Sequence, residues 1–262
     1  MAARAEPRLR RGSRLFSKAR LSWRLRQQAD HARSKEILTL HAEEEAAKAL
    51  MLLDLVRCPE RLSIDRQRLG KQLTRHLSRL IYAETCKWHP ATFGELRRGV
   101  DRERNEYYLD GLSGVDYIYR NNLIQHREEL LYVDRMHWEH GYEWHKPEAP
   151  LYTEFKFLTN RCFSLDVVRS LHDVGAFRRE ALDIIDTIWD PLDLIDSTHW
   201  YELKALNKAT LERFDQLNWL DNAELSSIER AFEWPMPLYL LDCSLTKTTP
   251  EELQAERDRW TP

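Results

Sequence analysis

The chain has 262 residues, of which 42% are hydrophobic and 32% are charged, and its formal net charge is -3. This composition is typical of a soluble chain with a core and a highly charged surface, and it excludes an intrinsically disordered protein. With only 8 glycines and 10 prolines, the chain has too few turn residues for a sandwich or barrel of short strands, so we expect an all-α fold.

Signals for secretion, membranes and cofactors are missing from the sequence. The first residues include arginines but no apolar run that could serve as a signal peptide, and no stretch approaches the roughly 20 apolar residues of a membrane span. The four cysteines are dispersed without a C-x-x-C pair, which predicts neither a zinc ribbon nor a disulfide framework. We therefore predict a cytoplasmic protein without a membrane partner or cofactor.

Charge is distributed unevenly along the chain. Residues 1–26 contain nine basic residues against one acid, whereas residues 180–262 contain 18 acidic residues against seven basic ones. A basic head and an acidic tail can indicate a nucleic-acid surface and a region that avoids it. Solvated helix faces are the simpler explanation for each charge run taken alone.

The first half of the chain predicts a series of helices. Residues 1–12 are expected to form a flexible basic N-terminus, followed by a helix from about Ser13 to the low thirties and a second one from about Ser34 to Val56. Pro59 stops the second helix because it removes a hydrogen bond and clashes with the preceding turn. The apolar part of this helix, residues 46–56, is expected to be buried in the core.

A third helix is predicted from Ser63, which can serve as its N-cap, with Asp65 placed to favour the positive end of the helix dipole. Its apolar residues recur at spacings of three and four and make one stripe: Leu69, Leu73, Leu77, Leu80 and Ile81. The short link between the second and third helices predicts antiparallel packing.

The middle of the chain is expected to be irregular. Residues 87–114 form a basic loop that holds at most one short helix, and Ser113 caps a fourth helix that ends near Tyr132. Residues 132–150 are aromatic and turn-like, which places a domain boundary there. Residues 151–262 then predict a C-terminal helical domain of unknown role, with helices at about 151–173, 176–189, 198–217 and 223–233.

One segment of the fourth predicted helix carries a pattern suited to chemistry. Arg120 is followed by the polar Asn121 and, after four more residues, by His126. Arginines also come five and seven residues before His31 and five residues before His140, so a spacing of this kind decides nothing by itself. Only Arg120, however, is followed by an asparagine within a predicted core helix.

Three further segments agree in order with one protein family. Residues 127–134 read Arg-Glu-Glu-Leu-Leu-Tyr-Val-Asp, with a tryptophan and a proline at 144 and 147. Earlier in the chain, residues 42–50 contain a Glu-Glu-x-x-Lys helix around Glu44 and Lys48, and residues 75–80 contain a His-x-x-basic helix with His76 and Arg79. Residues 13–150 resemble the HEPN superfamily of all-helical ribonucleases, close to the AbiV-type abortive-infection proteins, which implies a HEPN-type antiparallel helical bundle.

The resemblance implies metal-independent cleavage of RNA at a ribose 2'-hydroxyl, which leaves a 2',3'-cyclic phosphate. Arg120 would hold the phosphate through a charge-assisted fork, and Asn121 would orient the phosphate or the imidazole. His126 would be the general base or acid, because the usual histidine pKa of about 6.5 permits either role near neutral pH. Further basic side chains are predicted to bind the RNA: Arg97, Arg98, Arg102 and Arg127.

A homodimer is the expected assembly. On one ideal helix, Arg120 and His126 would lie about 120° apart around the axis and ~9 Å apart along it. They would not share a face, so the pair either needs a distorted helix or works across a dimer. HEPN proteins generally pair these helices about a twofold axis, which implies one cleft built from two copies.

Each candidate also has a structural interpretation. Glu44 and Lys48 at positions i and i+4 could form an ordinary helix ion pair, in a supporting role at most. His76 lies on an apolar face, where a hydrogen-bonded core histidine is common. A cluster of His137, His140 and His145 invites a metal, but its spacing matches no zinc signature, and we predict none. The C-terminal tryptophans are predicted to be core and partner surface, because that region is acidic.

The sequence thus predicts an endoribonuclease, a toxin-like effector of antiviral defence by abortive infection. Its expected partners are an RNA substrate, a second copy of the chain, and a regulatory protein or a phage-derived trigger. The C-terminal domain would regulate the nuclease or bind that partner. Two alternatives remain open: a non-catalytic HEPN scaffold that binds protein or RNA, and an antitoxin-like regulator.

Overall fold

Helices account for most of the chain. The computed structural model describes residues 2–29, 32–110, 116–119, 121–132, 134–138, 141–145, 161–249, 251–252 and 255, with side chains for 14–29, 33–106, 121–128, 130–132, 161–249, 251–252 and 255. The helices are α1 (Ala2–Gln28), α2 (Ala32–Arg57), α3 (Ser63–Gln72), α4 (His76–Thr85), α5 (Phe93–Glu103), α6 (Asn122–Leu131), α7 (Phe163–Asp173), α8 (Arg179–Trp189), α9 (Trp200–Asp215) and α10 (Leu225–Phe232). The strands are β1 (Tyr107–Asp110), β2 (Asp116–Tyr119), β3 (Asp134–Trp138) and β4 (Gly141–His145).

The predicted all-α class is confirmed. The hydrophobic core is formed by residues of helices and their connections, and the strands of the described part pair only as two antiparallel hairpins, β1 with β2 and β3 with β4. No helix in the described ranges is both long and apolar enough to cross a membrane. The hairpins are additions to a helical framework.

Helix α2 lies at the centre of this framework. It packs against α1, α4, α7 and α8. Four of its alanines have no exposed surface, so neighbouring helices can approach its backbone closely: Ala42, Ala46, Ala47 and Ala49. The helix ends at Arg57, two residues before Pro59, and its second half is buried as predicted.

The helix boundaries in the first third of the chain correct three predictions. Helix α1 begins at Ala2, so the region expected to be a flexible N-terminus is helical. The predicted third helix is two helices, because Thr74 and Arg75 close the end of α3 with i to i+3 hydrogen bonds and Arg75 is extended. The N-cap of α3 is Leu62, without a side-chain cap, and Ser63 lies inside the first turn.

The middle of the chain contains strands where a helix and a turn were predicted. Tyr107 and Tyr108 pair with Tyr119 and Ile118, because alternating aromatic and β-branched residues suit a pleated hairpin better than a helix. The predicted fourth helix therefore begins only at Asn122, and Ser113, its predicted cap, lies outside the described residues. Residues 134–138 and 141–145 pair as the second hairpin, where an irregular turn was predicted.

Helices α8 to α10 begin and end within three residues of the predicted positions. Helix α7 ends at Asp173 as predicted but begins at Phe163 rather than near residue 151, because residues 161 and 162 are not helical. Beyond these helices, residues 234–249, which we call the C-terminal strap, lie along the helices of the first half. Their backbone atoms exchange hydrogen bonds with those helices: Arg57 with Pro235, Asp54 with Leu238, Arg68 with Tyr239, Ser78 with Cys243 and Arg104 with Thr246. The strap thus joins the C-terminal part of the chain to helices α2 to α5.

Buried residues on both sides of the predicted domain boundary belong to a single hydrophobic cluster, which extends from Leu15 in α1 to Cys243 in the strap. The division at residue 150 into a HEPN-like and a C-terminal domain stays a prediction. In the described ranges the two parts share one core.

Candidate active site

Asn121 determines where α6 begins. It has no exposed surface, and its Oδ1 accepts hydrogen bonds from the backbone N–H groups of Leu123, at 3.0 Å, and Ile124, at 3.4 Å. Its Nδ2 donates to the carbonyl oxygens of Glu103 and Asn105, the latter at 3.2 Å. The amide is thus fully engaged in capping α6 and tying it to the end of α5, so it acts on the position of the helix rather than facing a ligand.

Arg120 lies outside the described residues. The helix that carries His126, α6, begins at Asn122 with Asn121 as its N-cap, so the angle expected for positions 120 and 126 on one ideal helix does not apply. The structural basis for predicting a dimer from that angle is therefore removed. The family resemblance still implies one.

His126 lies on the side of α6 that faces α2. Its side chain is 31% exposed, and its Nε2 is 3.8 Å from Oε1 of Glu36, a carboxylate that is 13% exposed. Such a pair can hold an imidazolium that forms during proton transfer. No sequence pattern selects Glu36, because its place beside His126 depends on the packing of α6 against α2.

His126 opens onto a cleft of about 350 Å³. The cleft is lined by basic side chains from four different segments, namely Arg26, Lys35, Lys87 and Arg161, and by the acidic Glu36, Glu43 and Glu84. Leu40, Leu80, Leu123 and Phe163 complete its apolar walls. Acid–base groups, cations and an apolar floor therefore meet in one concave site, which is the usual form of an active site.

Electrostatic interactions keep one of these cations charged. Burial lowers the pKa of the Lys87 amine, but Glu43 and Glu84 outweigh this effect and raise the pKa above its ordinary value. Burial also raises the pKa of Glu103, which lies nearby, and the charge of Glu84 raises it further. A cationic Lys87 at the wall of the cleft can attract an anion.

A second cluster adjoins the cleft and includes three of the four predicted supporting residues. Glu44, which is almost fully buried, receives Nε of Arg127 at 2.9 Å, Nη1 of Arg79 at 3.0 Å and Nδ1 of His76 at 3.0 Å. Nη2 of Arg127 also lies 3.3 Å from Nε2 of His76. The side chain of His76 is 47% exposed, so its predicted burial in the core is wrong.

Lys48, the fourth predicted supporting residue, does not join this cluster. Its amine pairs with Glu45, three residues earlier, rather than with Glu44. The helix ion pair expected between Glu44 and Lys48 is therefore wrong, because the three basic groups from α4 and α6 occupy the Glu44 carboxylate. Arg127, predicted to bind RNA, is 15% exposed and serves here to join α6 to α2.

The other predicted RNA-binding residues lie on α5. Arg97 donates to Asp196 at 2.9 Å, while Arg98 and Arg102 are exposed. None of the three lines the cleft at His126. Arg102 lies next to Glu103, whose carbonyl holds Asn121, so α5 reaches the beginning of α6.

Within the described residues, no group of three or more His, Cys, Asp or Glu side chains could hold a metal ion. The side chains of His137, His140 and His145 lie outside the described part, so the structure does not address them. The cysteines are free thiols, and three of them are buried.

No protein-family model, curated protein or solved structure matches this chain. We therefore infer function from the residues of the cleft and from the resemblance of residues 13–150 to HEPN proteins.

Proposed function

We propose that the cleft at His126 is the active site of a metal-independent endoribonuclease with a HEPN-type helical fold. The observation that carries the proposal is the position of His126, a partly exposed imidazole beside the Glu36 carboxylate, in a cleft with basic side chains on several sides. The resemblance of the Arg120-Asn121-His126 segment to the HEPN signature gives the reaction class.

His126 carries the proton transfers in this proposal. As a general base it takes the proton from the ribose 2'-hydroxyl, whose oxygen then attacks the adjacent phosphorus atom. The bond from phosphorus to the 5'-oxygen breaks, and that oxygen is protonated, which leaves a 2',3'-cyclic phosphate and a 5'-hydroxyl end. Glu36 stabilises the charged imidazole, a role for which a separation of 3.8 Å between the charged atoms is suitable.

The cations of the cleft stabilise the negative charge that grows on the phosphate. Lys35, Lys87 and Arg161 come from α2, from the segment after α4 and from the segment before α7, so the tertiary fold brings them together. Charges fixed around a site that partly excludes water stabilise a transition state more than they would in bulk solvent. By the resemblance to the HEPN signature, Arg120 stabilises this charge as well.

The remaining proposals follow from the family. The active form is a homodimer, in which a second copy completes the cleft, and the cellular role is cytoplasmic antiviral defence by abortive infection. A regulatory protein or a phage-derived trigger releases the activity, because an unrestrained ribonuclease would stop translation in its own host. The measurement for the assembly is the molar mass of the purified chain by light scattering.

The test of the active site is cleavage of single-stranded RNA by the purified full chain in EDTA, with analysis of the product ends. We expect His126→Ala to slow cleavage by about 10²- to 10⁴-fold, the usual contribution of a general acid or base. Arg120→Ala should slow it as well, and Glu36→Gln should slow it and shift its pH profile. His41→Ala is the matched control, because His41 is an exposed histidine on α2 outside the cleft.

An unchanged rate in His126→Ala, or loss of all cleavage in EDTA, would contradict the proposed mechanism. A wild-type chain that does not cleave RNA in vitro is compared with His126→Ala for toxicity in cells. Equal toxicity of the two would remove His126 from the mechanism.

A second function is favoured by the way in which Asn121 and Glu44 are used. Both polar groups of the Asn121 amide bond to backbone, and Glu44 is enclosed by three basic side chains. This arrangement suits a non-catalytic scaffold or antitoxin-like regulator that binds RNA or protein. Under this alternative, His126→Ala leaves cellular protection and partner binding unchanged.

A further inference from the structure

A second cavity, of about 500 Å³, adjoins the cleft at His126. Its walls come from the segment after α4, from α5, α7 and α10, and from the beginnings of α9 and the strap. Arg161 and Phe163 line both the cleft and this cavity, so the two spaces are neighbours on either side of one pair of side chains. A volume in this range is typical of small-molecule sites.

Three aromatic side chains from different segments line the cavity. The ring of Trp88 lies against Gly99 of α5, where an added Cβ would be only 2.7 Å from Cζ3 of the ring. Trp200 begins α9, and its backbone N–H donates to the carbonyl of Ala91 at 2.9 Å. Phe163 begins α7, with the guanidinium of Arg161 centred 5.0 Å over its ring. All three rings line the cavity and are only partly buried, so part of each is open to a flat ligand.

Charged groups of both signs surround these faces. Oδ2 of Asp166 accepts from Arg161 at 2.7 Å and from Arg230 at 3.3 Å, which fixes both guanidinium groups at the wall. Glu229 and Glu233, next to Arg230 on the same helix and at its end, add exposed carboxylates to the lining, and Glu233 pairs with Lys204. The cavity therefore offers both donors and acceptors around its aromatic side chains.

We propose that this cavity binds a nucleotide through its base. A nucleobase is flat and aromatic, and its edge carries both donors and acceptors, so it can stack on the aromatic side chains while its edge meets the carboxylates. The phosphate then lies toward the Arg161 and Arg230 guanidinium groups. A purely apolar ligand such as an acyl chain would displace the water around these charged groups without replacing its hydrogen bonds.

The proposal goes beyond ribonuclease activity and stands without it. The base can belong to a free nucleotide or to an RNA strand that also passes His126, because Arg161 lines both spaces. In the first case the cavity is a site for a small effector. In the second it holds a nucleotide that flanks the cleaved bond.

The test is isothermal titration calorimetry of the full chain with AMP, GMP, CMP and UMP, first for the wild type and then for the Trp88→Leu and Trp200→Leu variants. We expect saturable binding of at least one nucleotide, and each substitution should weaken it roughly 5- to 150-fold, the range that stacking on an aromatic side chain supplies per base. Trp200→Phe should keep the affinity close to that of the wild type, which excludes general misfolding. Tyr201→Leu, at an exposed aromatic residue outside the cavity, should change nothing.

Competition with an RNA hexamer distinguishes the two sources of the base. Displacement of the mononucleotide by the hexamer assigns the cavity to a nucleotide of an RNA strand, and persistence of the mononucleotide assigns it to a free nucleotide. Saturable binding that both leucine substitutions leave intact would overturn the proposal, as would the lack of binding of all four nucleotides at millimolar concentration. His126→Ala should bind nucleotides as the wild type does, so a failure of the ribonuclease proposal is recognised separately.

Discussion

Replacing Asp54 by alanine should destabilise the protein strongly, because three groups depend on this one carboxylate. Asp54 is 1% exposed and pairs with Arg57, which is 2% exposed and whose guanidinium contacts the rings of Trp189 and Trp234. Its Oδ2 also accepts from the Tyr82 hydroxyl at 3.0 Å and from the backbone N–H of Leu238 at 2.8 Å. Burial raises the pKa of Tyr82 well above its ordinary value, and the charge of Asp54 adds to this, so the hydroxyl stays protonated and donates.

The magnitude follows from what the substitution leaves behind. Removing one partner of a buried ion pair leaves an uncompensated charge and usually costs about 3–5 kcal/mol. This is a large part of the roughly 5–15 kcal/mol by which native proteins are stable, and it corresponds to a fall in the melting temperature of roughly 6–20 °C. The Tyr82 and Leu238 donors also lose their acceptor, which places the loss toward the upper end.

Urea unfolding followed by circular dichroism measures the effect, and a double-mutant cycle with Arg57→Met tests its cause. If the cost arises from the charge left on Arg57, then Asp54→Ala combined with Arg57→Met is less destabilised than the sum of the single changes, by about 2–3 kcal/mol. Glu60→Ala is the matched control, since Glu60 is an exposed acid near the end of the same helix. Additive single effects, or a loss of less than about 1 kcal/mol in Asp54→Ala, would refute the reasoning.

Four further predictions concern the strap, the α6 cap, the thiols and one surface carboxylate. A chain ending at residue 150 lacks the strap and half of the shared core, so it should show no cooperative unfolding transition by calorimetry; a sharp transition would instead support independent domains. Asn121→Ala should cost at least the roughly 0.5–2 kcal/mol of a lost N-cap, whereas Asn122→Ala, at the exposed neighbour, should change the free energy of unfolding little. Burial raises the pKa of three thiols to about 12, so they should resist a disulfide reagent at pH 8 in the folded chain and react only on unfolding: Cys58, Cys162 and Cys243. Burial raises the pKa of Asp242, but hydrogen bonds from Ser244 and the charge of Arg104 outweigh burial and lower the pKa below its ordinary value of 3.8. Because the folded pKa is below the unfolded one, the carboxylate contributes its full stabilisation above pH 3.8 and loses it as the pH falls below that value. The free energy of unfolding of Asp242→Asn should therefore fall less steeply with acid than that of the wild type.

Most helices were predicted correctly from the sequence, whereas the secondary structure in the middle of the chain was not. The break at Pro59 predicted the end of α2, because proline cannot continue a helix, and the predicted bounds of α8 to α10 agree with the structure to within three residues. Reasoning from apolar spacing failed around residues 107–119, where the apolar residues are aromatic and β-branched and fit a strand as well as a helix. It also failed at Thr74, where local hydrogen bonds end one helix and the apolar stripe continues on the next.

The candidate site was also only partly predictable from the sequence. Local patterns in the sequence selected His126, Glu44, His76, Arg79 and Arg127, and the structure brings the last four together around a single carboxylate. Spacing could not distinguish the Lys48 partner, because residues three and four positions away lie almost equally near on a helix.

By itself, the sequence determined the all-helical class, the core face of α2 and the residues with chemistry to offer, because these depend on side-chain type and on periodicity within one segment. Only the tertiary structure decided that Glu36 lies beside His126, that Asn121 joins the start of α6 to the end of α5, and that the strap packs along the first half of the chain. These features join residues that are far apart in sequence. Their positions depend on how whole helices pack, and no local pattern records the orientation of one helix against another.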